Sequence, residues 1–110
     1  MSSATTERPS RYHHPDTAAL DLATILRTVG DPLRLAIVRL VHEKERTCSE
    51  VGEVFGMPSS TNSYHLRLLR EAGVTQTRRR GTQAWVSIRT DDLESRFPGL
   101  VAVLTRPEGK

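Results

Sequence analysis

From Thr47 to Gly73 the sequence writes two helices with almost no chain between them, and that pairing limits the fold more than any other feature. Thr47-Cys48-Ser49-Glu50 is a capping box: the threonine side chain accepts from an exposed amide and Glu50 reaches back. It opens a short helix whose buried side is expected to be Val51, Val54 and Phe55. Gly56-Met57-Pro58 leaves room only for a tight turn. A longer helix then runs from Ser59 to Ala72, with Leu66, Leu69 and Ala72 inward, Leu68 flanking and Gly73 as its stop. A short helix, a tight turn and a longer helix make a helix-turn-helix corner.

The flanks extend this corner into a domain. Asp16 opens a helical pattern through Thr28, in which Leu20, Leu22, Ala23, Ile25 and Leu26 form an apolar stripe. Gly30 is expected to stop it in a left-handed conformation. Asp31-Pro32 starts the next helix, the aspartate capping free amides and the proline sitting where a missing N–H is harmless. There Leu33, Ala36, Ile37, Leu40 and Val41 follow helical spacing, while Arg34 and Arg39 fall on the other face. The polar run Glu43–Arg46 ends that helix. After Gly73 the period changes to that of strands, with β-branched residues in 74–77 and alternation through Ala84-Trp85-Val86-Ser87-Ile88. Between them, Arg78-Arg79-Arg80-Gly81-Thr82-Gln83 reads as a hairpin with glycine at its tip. Asp91-Asp92-Leu93-Glu94 opens a last helix with acids at its positive end, and Pro98-Gly99 interrupts it before Leu100–Leu104. The expected fold is mainly α with a small β-hairpin, a winged helix-turn-helix in the order ααααββα. Residues 1–15 read as a flexible arm, 16–105 as the domain and 106–110 as a flexible tail.

Composition narrows the function classes. A chain of 110 residues supports one modest core. No apolar run approaches a membrane span, and residues 1–15 lack the apolar stretch of a secretory signal, so a cytoplasmic protein without a membrane partner is expected. The single cysteine allows no internal disulfide and fits a reducing compartment. No phosphate-cradling glycine loop, metal-ligand cluster or nucleophile–base set is present, which points away from an enzyme and implies no cofactor.

Charge and side-chain chemistry converge on the second half of the corner. Residues 58–89 carry Arg67, Arg70, Arg78, Arg79, Arg80 and Arg89 against the single acid Glu71, so the chain's net charge of +3 originates there. Such a localised basic surface suits a polyanion. The longer helix begins Ser59-Ser60-Thr61-Asn62-Ser63-Tyr64-His65, a run of short hydrogen-bonding side chains. That run is poor for helix stability but suited to phosphates and base edges. The arginine-tipped hairpin follows directly, placed to reach a neighbouring backbone or minor groove. The expected partner is double-stranded DNA, met by Ser59, Ser60, Thr61, Ser63, Tyr64, Arg67, Arg78, Arg79 and Arg80. A protein-docking winged helix with an incidental basic face is the alternative.

Three segments, 30–40, 59–74 and the Arg-Gly-Thr of the hairpin, resemble the ArsR/SmtB-type bacterial repressors; the run His-Leu-Arg-Leu-Leu-Arg-Glu-Ala-Gly-Val is specific to that group. The likeness covers about residues 18–105. It implies a homodimer joined through helices 16–29 and 91–104, with the fourth helix in the major groove and release of an operator when an inducer binds. Carried over by position, Ser59, Ser60, Ser63 and Tyr64 face bases or phosphates, Arg67 grips the backbone, and Arg79 and Arg80 serve in the wing. His65 matches a family histidine and is read as a side chain bonding locally. Pro58 stands where the family often has a serine cap, and Asn62 where an apolar residue is common.

The sensor of metal-responsive relatives is not matched. Their Cys-x-Cys pair on the third helix corresponds to Thr47 and Ser49, with Cys48 between, and residues 91–104 contain no histidine for the alternative site. No metal site is expected, and the inducer is not legible. Cys48 is a candidate redox residue, because a helix N-terminus lowers a thiol's pKa, set against the plainer reading of a packed thiol. His13, His14 and His42 read as solvated, and Trp85 as packed against its own domain.

Overall fold

The computed structural model describes residues 12–107; the part of the expected arm before residue 12 and the part of the expected tail after 107 lie outside the described residues. A 3-10 turn at Thr17–Ala19 precedes helix α1 (Leu22–Val29), which Asp21 caps by accepting from the Thr24 amide at 3.0 Å. The first helix therefore begins six residues later than Asp16 suggested. The intervening Leu20 is buried as an anchor rather than carried on the helical stripe. Gly30 also departs from expectation: its φ is −72°, so α1 ends in right-handed geometry and the chain turns straight into Asp31-Pro32. Helix α2 (Pro32–Glu43) follows, with Asp31 accepting from the Arg34 amide at 2.9 Å.

A two-residue strand β1 (Arg46–Thr47) leads into α3 (Cys48–Phe55), where both halves of the Thr47/Glu50 capping box are formed. Gly56, at φ +63°, turns the chain toward α4 (Ser59–Glu71). Strands β2 (Thr75–Arg80) and β3 (Gln83–Ile88) form the hairpin, Arg80 pairing with Gln83 across the two-residue turn Gly81-Thr82. The loop is thus shorter than 78–83, and all three wing arginines lie on a strand. The sheet order is β1-β3-β2, all antiparallel, with Arg46 opposite Val86 and Thr47 opposite Trp85. β1 joins the wing to the start of the corner, a connection too short to leave a period in the sequence. The terminal helical segment is divided at Pro98-Gly99, as the sequence indicated, into α5 (Thr90–Arg96) and α6 (Leu100–Thr105).

Ile25, Ile37, Val51, Leu69, Val74, Val86 and Leu93 are fully enclosed, one from each of α1 to α5, one from β3, and Val74 from the link between α4 and β2. Each such aliphatic side chain contributes about 1.5–3 kcal/mol on burial. The opposite face of α2 is not merely solvated. Half-buried Arg34 donates through Nε to the Thr28 carbonyl at 2.7 Å, and Arg39 through Nε to the Leu104 carbonyl at 2.9 Å, tying α2 to the end of α1 and to α6. Val54, expected inside, is half exposed, because the short α3 turns Val51, Gly52 and parts of Cys48 and Phe55 inward.

Candidate nucleic-acid interface

Helix α4 separates its residues by face. Asn62, Leu66 and Leu69 are buried, while Ser59, Ser60, Thr61, Ser63, Tyr64 and Arg67 are exposed. The exposed set is the sequence-predicted contact set on this helix, brought onto one surface. Pro58 precedes the helix and makes no side-chain cap, so the first amides of α4 have no capping side chain. Uncapped N-terminal amides at the positive end of a helix dipole are donors for phosphate oxygens. Arg67 lies at 3.6 Å from Glu71 in an exposed pair and stacks near Tyr64, 5.5 Å from its ring centroid. The pair is solvated and its side chains remain free to reorient.

The buried side of α4 sets its angle to α3. Asn62 donates through Nδ2 to the Cys48 carbonyl at 2.9 Å, and a Cβ placed on Gly52 would lie 3.0 Å from that Nδ2. Gly52 thus provides the space in which the polar side chain of α4 sits against α3. The polar residue at a position where an apolar one was the norm is explained by this bond. His65 bonds not within its own helix but across to α2: its Nδ1 lies 3.1 Å from the Arg34 guanidinium. A guanidinium only donates, so Nδ1 accepts and the ring proton sits on Nε2.

In the wing the three arginines part company. Arg78 donates to Gln76 at 3.0 Å, and Arg79 to the Thr82 carbonyl at 3.2 Å within the turn. Arg80 forms an ion pair with Glu45 at 2.6 Å and lies 4.6 Å from the Trp85 ring centroid. Trp85 is therefore covered by an arginine of its own hairpin. Arg89, counted among the basic segment's charges, is no surface charge at all: it is buried, pairs with Asp92 at 3.0 Å and donates to the Pro15 carbonyl at 2.8 Å.

That contact begins a strap absent from the sequence reading. Residues 12–15, expected to belong to a flexible arm, lie along the domain. His14 is not solvated; it accepts on Nε2 from the Thr77 amide of β2 at 3.0 Å. Burial, and then the neighbouring guanidinium of Arg89, hold its pKa below that of a free histidine. Tyr12 lies 5.1 Å from the Arg70 guanidinium of α4. Thr17 donates to Asp92 at 2.9 Å, and that bond followed by the one from Arg89 keeps the Asp92 carboxyl below the usual range. Arg96 donates to the Thr17 carbonyl at 2.7 Å. The strap thus touches α4, β2 and α5 together.

Cys48 is half-buried at the first position of α3, and burial pushes its thiol pKa up. Desolvation outweighs the opposing pull of the Arg70 guanidinium and of the backbone hydrogen bond, so the shift runs opposite to the lowering that motivated the redox reading. Among the described residues, no three His, Cys, Asp or Glu side chains gather as a metal site, and no helix is long and apolar enough to cross a membrane.

Comparison with known proteins agrees with this geometry. The family described as "Helix-turn-helix domain" matches residues 29–78. The chain is 40% identical over 84 residues to the helix-turn-helix-type transcriptional regulator YceK of Bacillus subtilis, covering 74% of this chain and 84% of that protein. It is 34% identical over 78 residues to the transcriptional repressor SmtB of Mycobacterium tuberculosis, covering 70% and 58%. A solved homodimeric winged helix-turn-helix DNA-binding domain from Mycobacterium bovis, described as "a possible ArsR-family transcriptional regulator", superposes with a TM-score of 0.64 at 29% identity, over 76% of each chain. With α4 presenting its polar face beside a basic hairpin, the chain belongs to the ArsR/SmtB-type winged helix-turn-helix family of DNA-binding transcriptional regulators.

Proposed function

We propose that this regulator is a homodimeric repressor acting in the cytoplasm, which binds a palindromic operator and does its work by occupancy rather than by catalysis. The observation that carries the reading is the division of α4. A buried face bolts it to α3, and the outward face offers hydroxyls, a phenol and an arginine with no apolar aliphatic residue among them. The major groove, about 12 Å wide, admits one such helix. In this reading Ser63 and Tyr64 address base edges, Ser59, Ser60 and Thr61 together with the uncapped amides meet phosphates, and Arg67 holds the backbone. Arg78 and Arg79 bring the wing to an adjacent phosphate or the minor groove, with Arg80 engaged when it leaves Glu45.

The dimer is supported by apolar side chains left in water. Leu22 and Leu26 on α1 are 40% and 48% exposed, and Val103 on α6 is 66% exposed. These are the two elements through which the family resemblance places the interface.

Selection of bound DNA from a random duplex pool at two salt concentrations tests the proposal. Enrichment of an imperfect palindrome, with half-sites about one helical turn or a multiple apart, is the expected result. Recovery of only salt-labile, sequence-independent DNA, or of none, favours a protein-docking winged helix instead.

A further inference from the structure

A groove of about 470 Å³ runs between the strap, the start of α3, one side of α4 and the start of β3. Among the described residues it is lined by Tyr12, Cys48, Tyr64, Arg67, Arg70 and Ala84 with neighbouring serines of α4, and by no acidic side chain. Its size is that of a small-molecule site. Arg70 is the side chain that the interface just described does not use. It is half-buried, and among the described residues it has no carboxylate at ion-pair distance. Its Nε is buried without a hydrogen-bond partner. Its guanidinium carbon lies 5.1 Å from the Tyr12 ring centroid, so it is held by stacking rather than by a counter-charge. The guanidinium thus keeps its charge at the groove wall with no carboxylate among the described residues to answer it, and its buried, unpaired Nε marks a polar group short of a partner.

We propose that this groove is an effector site for a small organic anion, an acid group on a flat apolar body. The acid group meets Arg70 with Arg67 beside it, matching the planar guanidinium to a carboxylate or its equivalent. The body lies among the Tyr12 and Tyr64 rings and the Cys48 side chain. The thiol, its pKa raised by burial, stays protonated there and acts as a soft wall rather than a nucleophile. The same groove shares Tyr64 and Arg67 with the DNA-facing surface, so an anion seated in it removes both the charge and the access that DNA needs. This coupling rests on the repressor reading above; the binding site itself does not.

The test is a titration of the full chain without DNA, followed by the arginine Nε–Hε and backbone amide resonances, using benzoate, indole-3-acetate, inorganic phosphate and uncharged benzamide as probes. Saturable shifts at Arg70, Tyr12 and Ala84 with at least one of the two ring-bearing carboxylates are expected, with benzamide and phosphate at least about tenfold weaker. Arg70→Gln should abolish the response, Arg70→Lys should retain part of it, and Ala84→Leu should block the groove from the strand side. Circular dichroism shows whether each variant is folded, and the Ala84→Leu result decides the matter if Arg70→Gln is not. No saturable response to either carboxylate, or a response to phosphate equal to that of the carboxylates, overturns the proposal. In the second arm, operator DNA should raise the apparent Kd of the bound carboxylate; simultaneous, independent binding overturns the effector role. If no DNA binds at any salt concentration, it is the repressor reading that fails, and the DNA-free titration still judges the site.

Discussion

The side-chain amide of Asn62 reaches across the corner to the main-chain carbonyl of Cys48, 2.9 Å away, and so ties the fourth residue of α4 to the first residue of α3. The acceptor is a carbonyl, so the group facing it is the NH₂ end, and only a donor serves there. Asn62→Ala should lower stability by about 1–3 kcal/mol. Asn62→Asp should cost more, since a carboxylate would face the same carbonyl. Urea unfolding at fixed protein concentration checks the order; an aspartate variant as stable as the alanine one would remove this bond from the account of how the two helices are set.

Gly73, after the end of α4, has φ +84°, and a Cβ built there falls 2.1 Å from Leu20 Cδ2. Both the backbone and the space demand glycine. Leu20 is itself buried between the strap and the body, so it has little freedom to withdraw. Gly73→Ala should cost about 2–4 kcal/mol, from the left-handed conformation and the overpacking together. Trimming Leu20 as well, in Leu20→Ala/Gly73→Ala, should remove the packing part of the Gly73 penalty and leave the backbone part. A double variant whose Gly73 penalty is undiminished would show that the contact with Leu20 is of no consequence.

The strap has a pH dependence with a definite sign. His14 must be unprotonated on Nε2 to accept from Thr77, and the guanidinium groups of Arg89 at the β3–α5 junction, Arg70 on α4 and Arg78 on β2, with His13 beside it, all oppose its protonation. Its folded pKa lies below 6.5, so the attachment is intact above that pH and is lost as pH falls through the lower, folded value. Hydrogen exchange at the Thr77 amide should accelerate, relative to the intrinsic rate, between neutral and mildly acidic pH. His14→Phe should show fast exchange throughout, and protection in wild type that does not change with pH would rule the histidine out as the latch.

The corner was legible because its signals are local and redundant. Thr47 and Glu50 announce a helix start, Gly56-Met57-Pro58 a tight turn, and the Leu66/Leu69 spacing a buried face. The exposed polar face of α4 followed from the same periodicity. What escaped was long-range or too short to repeat. Two residues of β1 leave no alternation to detect. His14 and Thr77 are joined across 63 positions, and Arg89 and Pro15 across 74, through contacts that no window of sequence contains. Counting charges by segment also misled: Arg80 and Arg89 add to the basic total, but Glu45 and Asp92, both outside that segment, answer them. Arg70 counts among the basic residues of 58–89, yet that it faces no counter-charge among the described residues is visible only in three dimensions.

The ion pair of Arg80 with Glu45 makes the wing arginines unequal partners for DNA. Arg79→Ala should reduce the salt slope of operator binding by about one. Arg80→Ala should reduce it by less, since part of that charge is already answered. Glu45→Gln should release Arg80, steepening the slope and tightening binding at low salt while changing stability by no more than about 1 kcal/mol, as befits an exposed pair. Fluorescence anisotropy across a salt series reads all three. Identical slopes for Arg79→Ala and Arg80→Ala would mean that the pair opens freely on binding and that geometry in the free protein does not rank the contacts.

The dimer and the operator affinity should fall together. Leu26 on α1 and Val103 on α6 are exposed aliphatic side chains on elements otherwise occupied in packing, Ile25 and Val29 in one case and Val101 and Leu104 in the other. A charge at either exposed position leaves those inward contacts alone, so Leu26→Glu and Val103→Glu should preserve the helical circular dichroism. In a two-fold assembly each substitution appears twice across the interface, and desolvating two carboxylates there is strongly unfavourable. Sedimentation should show wild type as a dimer and both variants as monomers at micromolar concentration. A palindromic operator is held by two recognition helices at once, so monomers lose the advantage of the second half-site, and affinity for the full operator should drop toward that for a half-site. Variants that become monomeric yet keep full operator affinity would separate the two properties and place the energy of recognition within a single protomer.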